Sequence, residues 1–263
     1  MNNAINAKAG TRPSKARIRN AFERAAPTYD AAAVVQRRVC DLLAAGLPAM
    51  PPVERLLDAG CGTGFAQQLL QRRFPTAHAI ALDFAPAMLR LVDTPCCRLA
   101  GDLEHLPLAA ASVDLYWCSL AVQWCDLPRA LAEARRVLKP GGQLALASLG
   151  PATFHELRKA FAGIDAHRHT LSFHTADEIR SLATEAGLVA VDVRNHREIA
   201  HYPDFKSLLR AVKAIGANQL GAGRRTSLLS RSAFQRAEQA AEALRAPDGL
   251  PLTYDVITLH ARK

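Results

Sequence analysis

The 263-residue sequence predicts an α/β fold built on a doubly wound, mostly parallel sheet. Three observations carry that reading. From residue 53 onward, short apolar runs alternate with helix-period segments. The first run, "VERLLDA", breaks into Gly60, Gly62 and Gly64 and feeds a helix. The second run, "HAIALD", ends in an acid roughly 20 residues after those glycines.

Taken in order, residues 1–14 read as a polar, basic arm, and 15–46 as helical with a break at "AAPTYD", where Pro27 interrupts. "LPAMPP" is a Pro-rich linker. Then come strand "VERLLDA", helix "FAQQLLQRRF", strand "HAIALD", short helix "APAMLRLV" and strand "CRLAG". Strand "SVDLYWCSL", helix "PRALAEARRVLK" and strand "GQLALASL" follow. Beyond Gly150, "TFHELRKAFAGI" and "ADEIRSLATEAG" read as helices and "LVAVDVRN" as a strand. "DFKSLLRAVKAIGA" is an amphipathic helix with Phe205, Leu208, Leu209, Val212 and Ile215 in phase. A helix "RSAFQRAEQAAEAL" and a last strand "LTYDVITLHARK" complete the chain, and helices inserted before a final strand suggest a cap over the sheet edge. The expected organisation is one domain: an arm and lid helices (1–52), a ligand-binding core (53–150), and the rest of the sheet with a cap insertion near 204–245 (151–263).

Composition narrows the function classes. A net charge of +9 suits an acidic partner, either nucleic acid or an acidic protein. Lys and Arg are not interleaved with aromatics, which argues against a dedicated nucleic-acid groove. The six cysteines show no CxxC spacing and fit a reducing cytoplasm. Neither a membrane-length apolar run nor a signal-peptide pattern is expected. His167, His169 and His174 are the only metal-like grouping, and they read as loop residues, so no metal is expected.

The glycines have a chemical reason. A strand ending in Gly-x-Gly-x-Gly lets a ligand approach the backbone at the carboxyl end of a parallel sheet, and Asp83 ends the next strand where it can take ribose hydroxyls. The spacing is neither G-x-G-x-x-G nor G-x-x-x-x-G-K. Asp58, inside the turn, opposes a pyrophosphate but suits the ammonium and sulfonium of S-adenosyl-L-methionine.

"LLDAGCGTG", "ALDFAPAML", "GDLEHLPL", "SVDLYWCSLAVQW" and "RVLKPGGQLALASL" resemble the successive motifs of class I S-adenosylmethionine-dependent methyltransferases. The resemblance implies a seven-stranded Rossmann-like sheet with an antiparallel last strand. It implies that Gly60, Gly62 and Gly64 line the methionine end, Asp83 holds the ribose, Asp102 takes the adenine amine and Leu103 lies beside the ring. On the same footing, Gln36, Asp58, Cys61, Phe84, Met88 and Ser119 join the cofactor set.

Four further segments widen the likeness to nearly the whole chain: "AFERAAPTYDAAAVVQRRV", "LAVQWCDLPRALAEARRVLKPGG", "LLRAVKAIGANQL" and "PLTYDVITLHARK". Together they resemble the malonyl-acyl-carrier-protein O-methyltransferase family of biotin synthesis. The Pro-rich linker departs from many relatives without touching a motif. "CSLAVQW" stands where N-methylating relatives carry N/D-P-P-Y/F, which disfavours amine acceptors. The acceptor so implied is the free carboxylate of a malonyl thioester on acidic acyl carrier protein. That group is ionised at pH 7 and needs no base, only alignment and a nearby cation.

Lys206, Arg210 and Lys213, at i, i+4 and i+7, share one helix face; Arg210 and Lys213 are the expected carboxylate readers, with Arg224 and Arg225 next. The resemblance makes Tyr29 a lid group at the reaction, and Gln123 and Trp124 follow the fourth strand, where the acceptor belongs. Two other readings stay open: a quinone-type small-molecule C- or O-methyltransferase, and a nucleic-acid methyltransferase or non-catalytic cofactor-binding protein.

Overall fold

A computed structural model describes residues 13–164, 167, 170–215 and 229–263. Gly216, Ala217 and Asn218 of the "KAIGAN" segment lie outside the described residues, as do Arg224, Arg225 and His169.

Two helices open the chain, α1 (Lys15–Ala32) and α2 (Val34–Ala45). The alternating part runs β1 (Arg55–Ala59), α3 (Phe65–Arg73), β2 (His78–Asp83), α4 (Pro86–Leu89), β3 (Cys97–Ala100), β4 (Val113–Ser119), a 3-10 turn (Val122–Trp124), α5 (Leu127–Val137) and β5 (Leu138–Leu149). Then follow α6 (His155–Phe161), α7 (Ala176–Glu185), β6 (Val189–Tyr202), α8 (Phe205–Ala214), α9 (Arg231–Glu242) and β7 (Leu250–Arg262). The seven strands form one sheet in the order β3-β2-β1-β4-β5-β7-β6. β7 alone runs antiparallel, to β5 on one side and β6 on the other.

The central strands are apolar throughout because both faces are covered. Successive residues feed opposite cores: Leu56, Leu115, Trp117, Ala145 and Ala147 face α2, α3 and the late helices, while Leu57, Tyr116, Cys118, Leu144 and Leu146 face α5 and α7. The carboxyl ends of β1, β2, β4 and β5 consequently meet along one edge, where Gly60, Asp83, Ser119 and Gly150 leave the sheet.

Two sequence expectations change. Helix α1 runs through Pro27, and the break falls at Ala33. Pro27 is exposed, while Ala25 and Ala26 pack on Ala85 and Met88, so burial of this face offsets the missing backbone hydrogen bond. Strand β6 extends beyond Asn195 to Tyr202, because this polar stretch pairs with β7 as far as Tyr202↔Leu250. Leu149, the last residue of β5, stands opposite Val256. The β6–β7 ribbon therefore projects past the parallel strands, carrying residues 250–255 over the sheet's carboxyl edge.

The late helices pack on that projection. Helix α8 buries Phe205, Leu208 and Val212 and touches α1 as well as β6 and β7; α9 packs on α6. Phe205 sits between Phe161 and Phe234, at ring-centroid distances of 6.0 and 5.8 Å. Buried Glu156 of α6 clamps the ribbon, accepting from the Thr253 amide at 3.1 Å and from the Thr253 hydroxyl. Replacing Glu156 by Ala strands a buried amide and a buried hydroxyl, which costs about 1–3 kcal/mol per unsatisfied group. The urea midpoint of Glu156→Ala is expected to fall at unchanged slope; a midpoint equal to that of the parent would refute the clamp.

Candidate active site

Asp58 lies on β1, 1% exposed, with Gln67 Nε2 donating to its Oδ2 at 3.3 Å. After Ala59 the backbone turns left-handed at Gly60 (φ +77°) and again at Gly64 (φ +92°). A Cβ on Gly60 would stand 2.3 Å from the Ala121 Cβ, and one on Gly64 2.9 Å from Val92 Cγ1, so both positions demand glycine on two counts. The turn is fastened to the end of β2. Gly60 N and Cys61 N donate to Leu82 O at 2.7 and 3.0 Å, and Gly62 N donates to Asp83 Oδ2 at 2.9 Å. Asp83 Oδ1 accepts from Ala85 N at 2.8 Å.

A cleft opens beside this turn, under α1, lined by Lys15, Phe22, Tyr29, Asp83, Asp102 and Trp124 among others. Its lining also includes Phe84, Met88 and Leu103. A second pocket gathers Gln36, Asp58, Gly60, Cys61, Gly62 and Ser119. A third collects Gln123, Trp124, Phe154, Thr170, Ile215 and Tyr254. Tyr29 lines all three. Phe22 and Trp124 meet edge to face at 5.7 Å, tying α1 to the third pocket. Gly64 lines none of them and acts through the turn alone.

Two non-glycine residues with positive φ, Leu120 (+51°) and Phe154 (+58°), line the third pocket. Such conformations cost on the order of 1–3 kcal/mol and cluster at functional sites. Leu120 is held by Gln123 Nε2, which donates to its carbonyl at 2.7 Å; Phe154 N donates to Thr253 O at 2.7 Å.

Burial raises Asp58 to about 7, with the Asp83 charge adding to the shift and the Gln67 hydrogen bond opposing it. Burial also raises Asp83, against the backbone amides of Ala85, Gly62 and Phe84. Tyr29 is pushed far up by burial and then by Cys40 and Asp83, so it stays a neutral hydrogen-bonding phenol.

The structure does not bring Arg210 and Lys213 to any of these pockets. Helix α8 turns Phe205, Leu208 and Val212 inward, so 206, 210 and 213 fall on its exposed side. Arg210 donates to Lys206 O at 3.3 Å and to Ser207 Oγ at 3.2 Å. Among the described residues no cluster of His, Cys, Asp and Glu suits a metal; His174 lies 3.4 Å from Glu178. Sequence reasoning missed three groups. Lys15 pairs with Asp102 and lies 3.0 Å from Glu104. Arg37 lines the second pocket and donates to Asp30 O at 2.7 Å. Tyr254 belongs to "PLTYDV", where the family likeness was the available signal.

The residues fit S-adenosyl-L-methionine. Gln36 Oε1 is buried without a hydrogen-bond partner among the described residues and shares its pocket with the Asp58 carboxylate, as an ammonium requires. Asp83 lines the cleft at the end of β2, where its carboxylate could accept from ribose hydroxyls. Asp102 keeps acceptor capacity beyond Lys15 and the Glu104 amide, because a carboxylate offers about four lone-pair sites.

Residues 57–146 match the Methyltransferase domain model. Malonyl-[acyl-carrier protein] O-methyltransferase of Dechloromonas aromatica is 72% identical over 100% of both chains. The chain belongs to the malonyl-[acyl-carrier protein] O-methyltransferase family. A biotin biosynthesis bifunctional protein of Teredinibacter turnerae is 37% identical over 95% of this chain and 47% of its own. A putative methyltransferase from Bacillus halodurans shares the fold at 17% identity, with a TM-score of 0.60 over 85% of this chain and 98% of its own. No helix among the described residues is long and apolar enough to cross a membrane.

The buried Asp58 carboxyl carries a pH signature. Burial pushes its carboxyl up to about 7, and the cofactor ammonium, if held there as proposed below, would favour the ionised form. Cofactor binding below that pH must release the proton, so affinity is full above about 7 and falls by up to about tenfold per pH unit below it. Calorimetry at pH 6 in buffers of different ionisation enthalpy should find about one proton released per cofactor, and none for Asp58→Asn. Affinity that stays flat from pH 5.5 to 7.5 would rule this out.

Proposed function

We propose that the protein methylates the free carboxylate of a malonyl thioester carried on acyl carrier protein. The product is the malonyl methyl ester that starts the pimeloyl part of biotin, and the enzyme works in the cytoplasm. The observation behind the reading is the full-length 72% identity, which includes the late segments that cofactor binding alone does not require.

S-adenosyl-L-methionine, when bound, supplies an electrophilic methyl group on a sulfonium. Asp58 and Gln36 would hold its ammonium, Asp83 its ribose, and Asp102 with Leu103 its adenine. Tyr29 and Leu120 line both the first cleft and the third pocket, where the acceptor would lie. The described lining of the third pocket contains no His, Asp or Glu. A phenol or alcohol acceptor calls for a general base; a carboxylate does not. This favours carboxyl transfer over the quinone-type alternative. Tyr29 donates as a neutral phenol, and Tyr29, Phe22 and Trp124 exclude water.

The deciding experiment offers malonyl-carrier protein, malonyl-coenzyme A and a quinone precursor side by side. Methyl ester should form on the malonyl thioesters and nothing on the quinone precursor; the reverse pattern would overturn the reading. Added salt should raise KM for the carrier protein far more than for malonyl-coenzyme A. The +9 chain would meet an acidic partner through exposed charges, which screen over about 8–10 Å near physiological ionic strength. Equal salt sensitivity would remove electrostatic docking.

A further inference from the structure

We propose that Arg158 and Thr170 read the acceptor's free carboxylate, Thr170 touching it and Arg158 supplying the positive field. The inference rests on the function proposed above and names the group at that site which recognises the substrate's charge.

Arg158 leaves α6 beside the third pocket. Its Nη1 donates to Thr153 O at 2.6 Å and to Thr170 Oγ at 3.3 Å, and its Nη2 donates to Pro151 O at 2.9 Å. All three acceptors are neutral. The nearby acid is Glu156, whose oxygens already take the Thr253 amide and hydroxyl and face His155 at 3.5 Å. Arg158 is thus a partly buried cation without a carboxylate in ion-pair contact among the described residues. Burial pulls its pKa below the ordinary guanidinium value, and the Glu156 charge opposes that.

Thr170 carries the charge inward. Its hydroxyl accepts from Arg158, which leaves its own proton to donate, and it lines the pocket with Tyr29, Gln123 and Tyr254. A hydroxyl polarised by a guanidinium is a strengthened donor to an anion. The other described cations near the cleft are engaged elsewhere: Lys15 on Asp102 and Glu104, Arg37 on Asp30 O at the second pocket.

The indirect arrangement suits the reaction. A guanidinium placed on the attacking oxygen would lower its nucleophilicity. One hydroxyl bond leaves the second carboxylate oxygen free to attack. Once esterified, the substrate loses its charge, the Thr170 bond loses its charge assistance, and product departs.

The test compares pantetheine thioesters of malonate and of its terminal amide, malonamate, as competitive ligands in the presence of S-adenosylhomocysteine. The proteins are the parent, Arg158→Gln, Arg158→Lys and Thr170→Val. The parent should prefer malonyl. Arg158→Gln and Thr170→Val should each lose roughly tenfold or more of that preference, with S-adenosylhomocysteine binding unchanged and malonamyl binding, which takes only a neutral hydrogen bond from Thr170, weakened far less than malonyl binding; Arg158→Lys should keep part of it. Arg158 also braces the Pro151 and Thr153 carbonyls, so a purely structural role would weaken both ligands equally, and that result overturns the proposal. Thr170→Val leaves the bracing intact, and a parental preference there overturns it too. Methyl transfer by the parent to malonyl-carrier protein is scored separately: present, a failed preference test removes only Arg158 and Thr170; absent, the function itself falls.

Discussion

The hold of β2 on the turn after β1 is the constraint from which the site follows. Leu82 O takes two turn amides and Asp83 a third, so the end of one strand fixes the conformation of the loop beside it. Only glycine can occupy Gly60 there, because Ala121, just beyond β4, presses on it from the other side. The parallel sheet supplies the rest: its crossovers bring the ends of β1, β2 and β4 to one edge, and the left-handed turn exposes backbone there.

The third pocket is built on a different principle. The β6–β7 ribbon outruns β5, and its projecting residues are held by side chains as much as by ladder bonds. Glu156 grips Thr253, Asp255 Oδ2 accepts from Ala152 N at 3.0 Å, and Tyr254 meets Phe154 edge to face at 4.9 Å. This framework stabilises the strained Phe154. Strain and projection together place Tyr254 and Phe154 opposite Gln123 and Trp124 of the β4 turn.

Charge is distributed unevenly around the cleft. Carboxylates dominate the glycine-turn end, where Asp58 is buried and Asp83 half-buried and both are raised. Neutral donors and acceptors line the third pocket, with Arg158 hydrogen-bonded to Thr170 beside it. On the proposed assignment, a cationic cofactor and an anionic acceptor meet opposite surroundings, and the reaction that joins them cancels both charges.

The sequence by itself determined the sheet class, the glycine turn and its acids, because these depend on local patterning: apolar runs on strands covered on both faces, and residues whose backbone geometry admits nothing larger. It also carried the family likeness that singled out Tyr29, Gln123 and "PLTYDV". The tertiary structure decided what depends on distant packing. Pro27 stays within α1 because Ala25 and Ala26 find Ala85 and Met88. The polar half of β6 is a strand because β7 pairs with it. Arg210 and Lys213 lie outward because Phe205, Leu208 and Val212 claim the other face of α8. Arg158 could not be singled out in the sequence, since its meaning comes from Thr170, Thr153 and Pro151 arriving around one guanidinium, and that convergence exists only once the chain has folded.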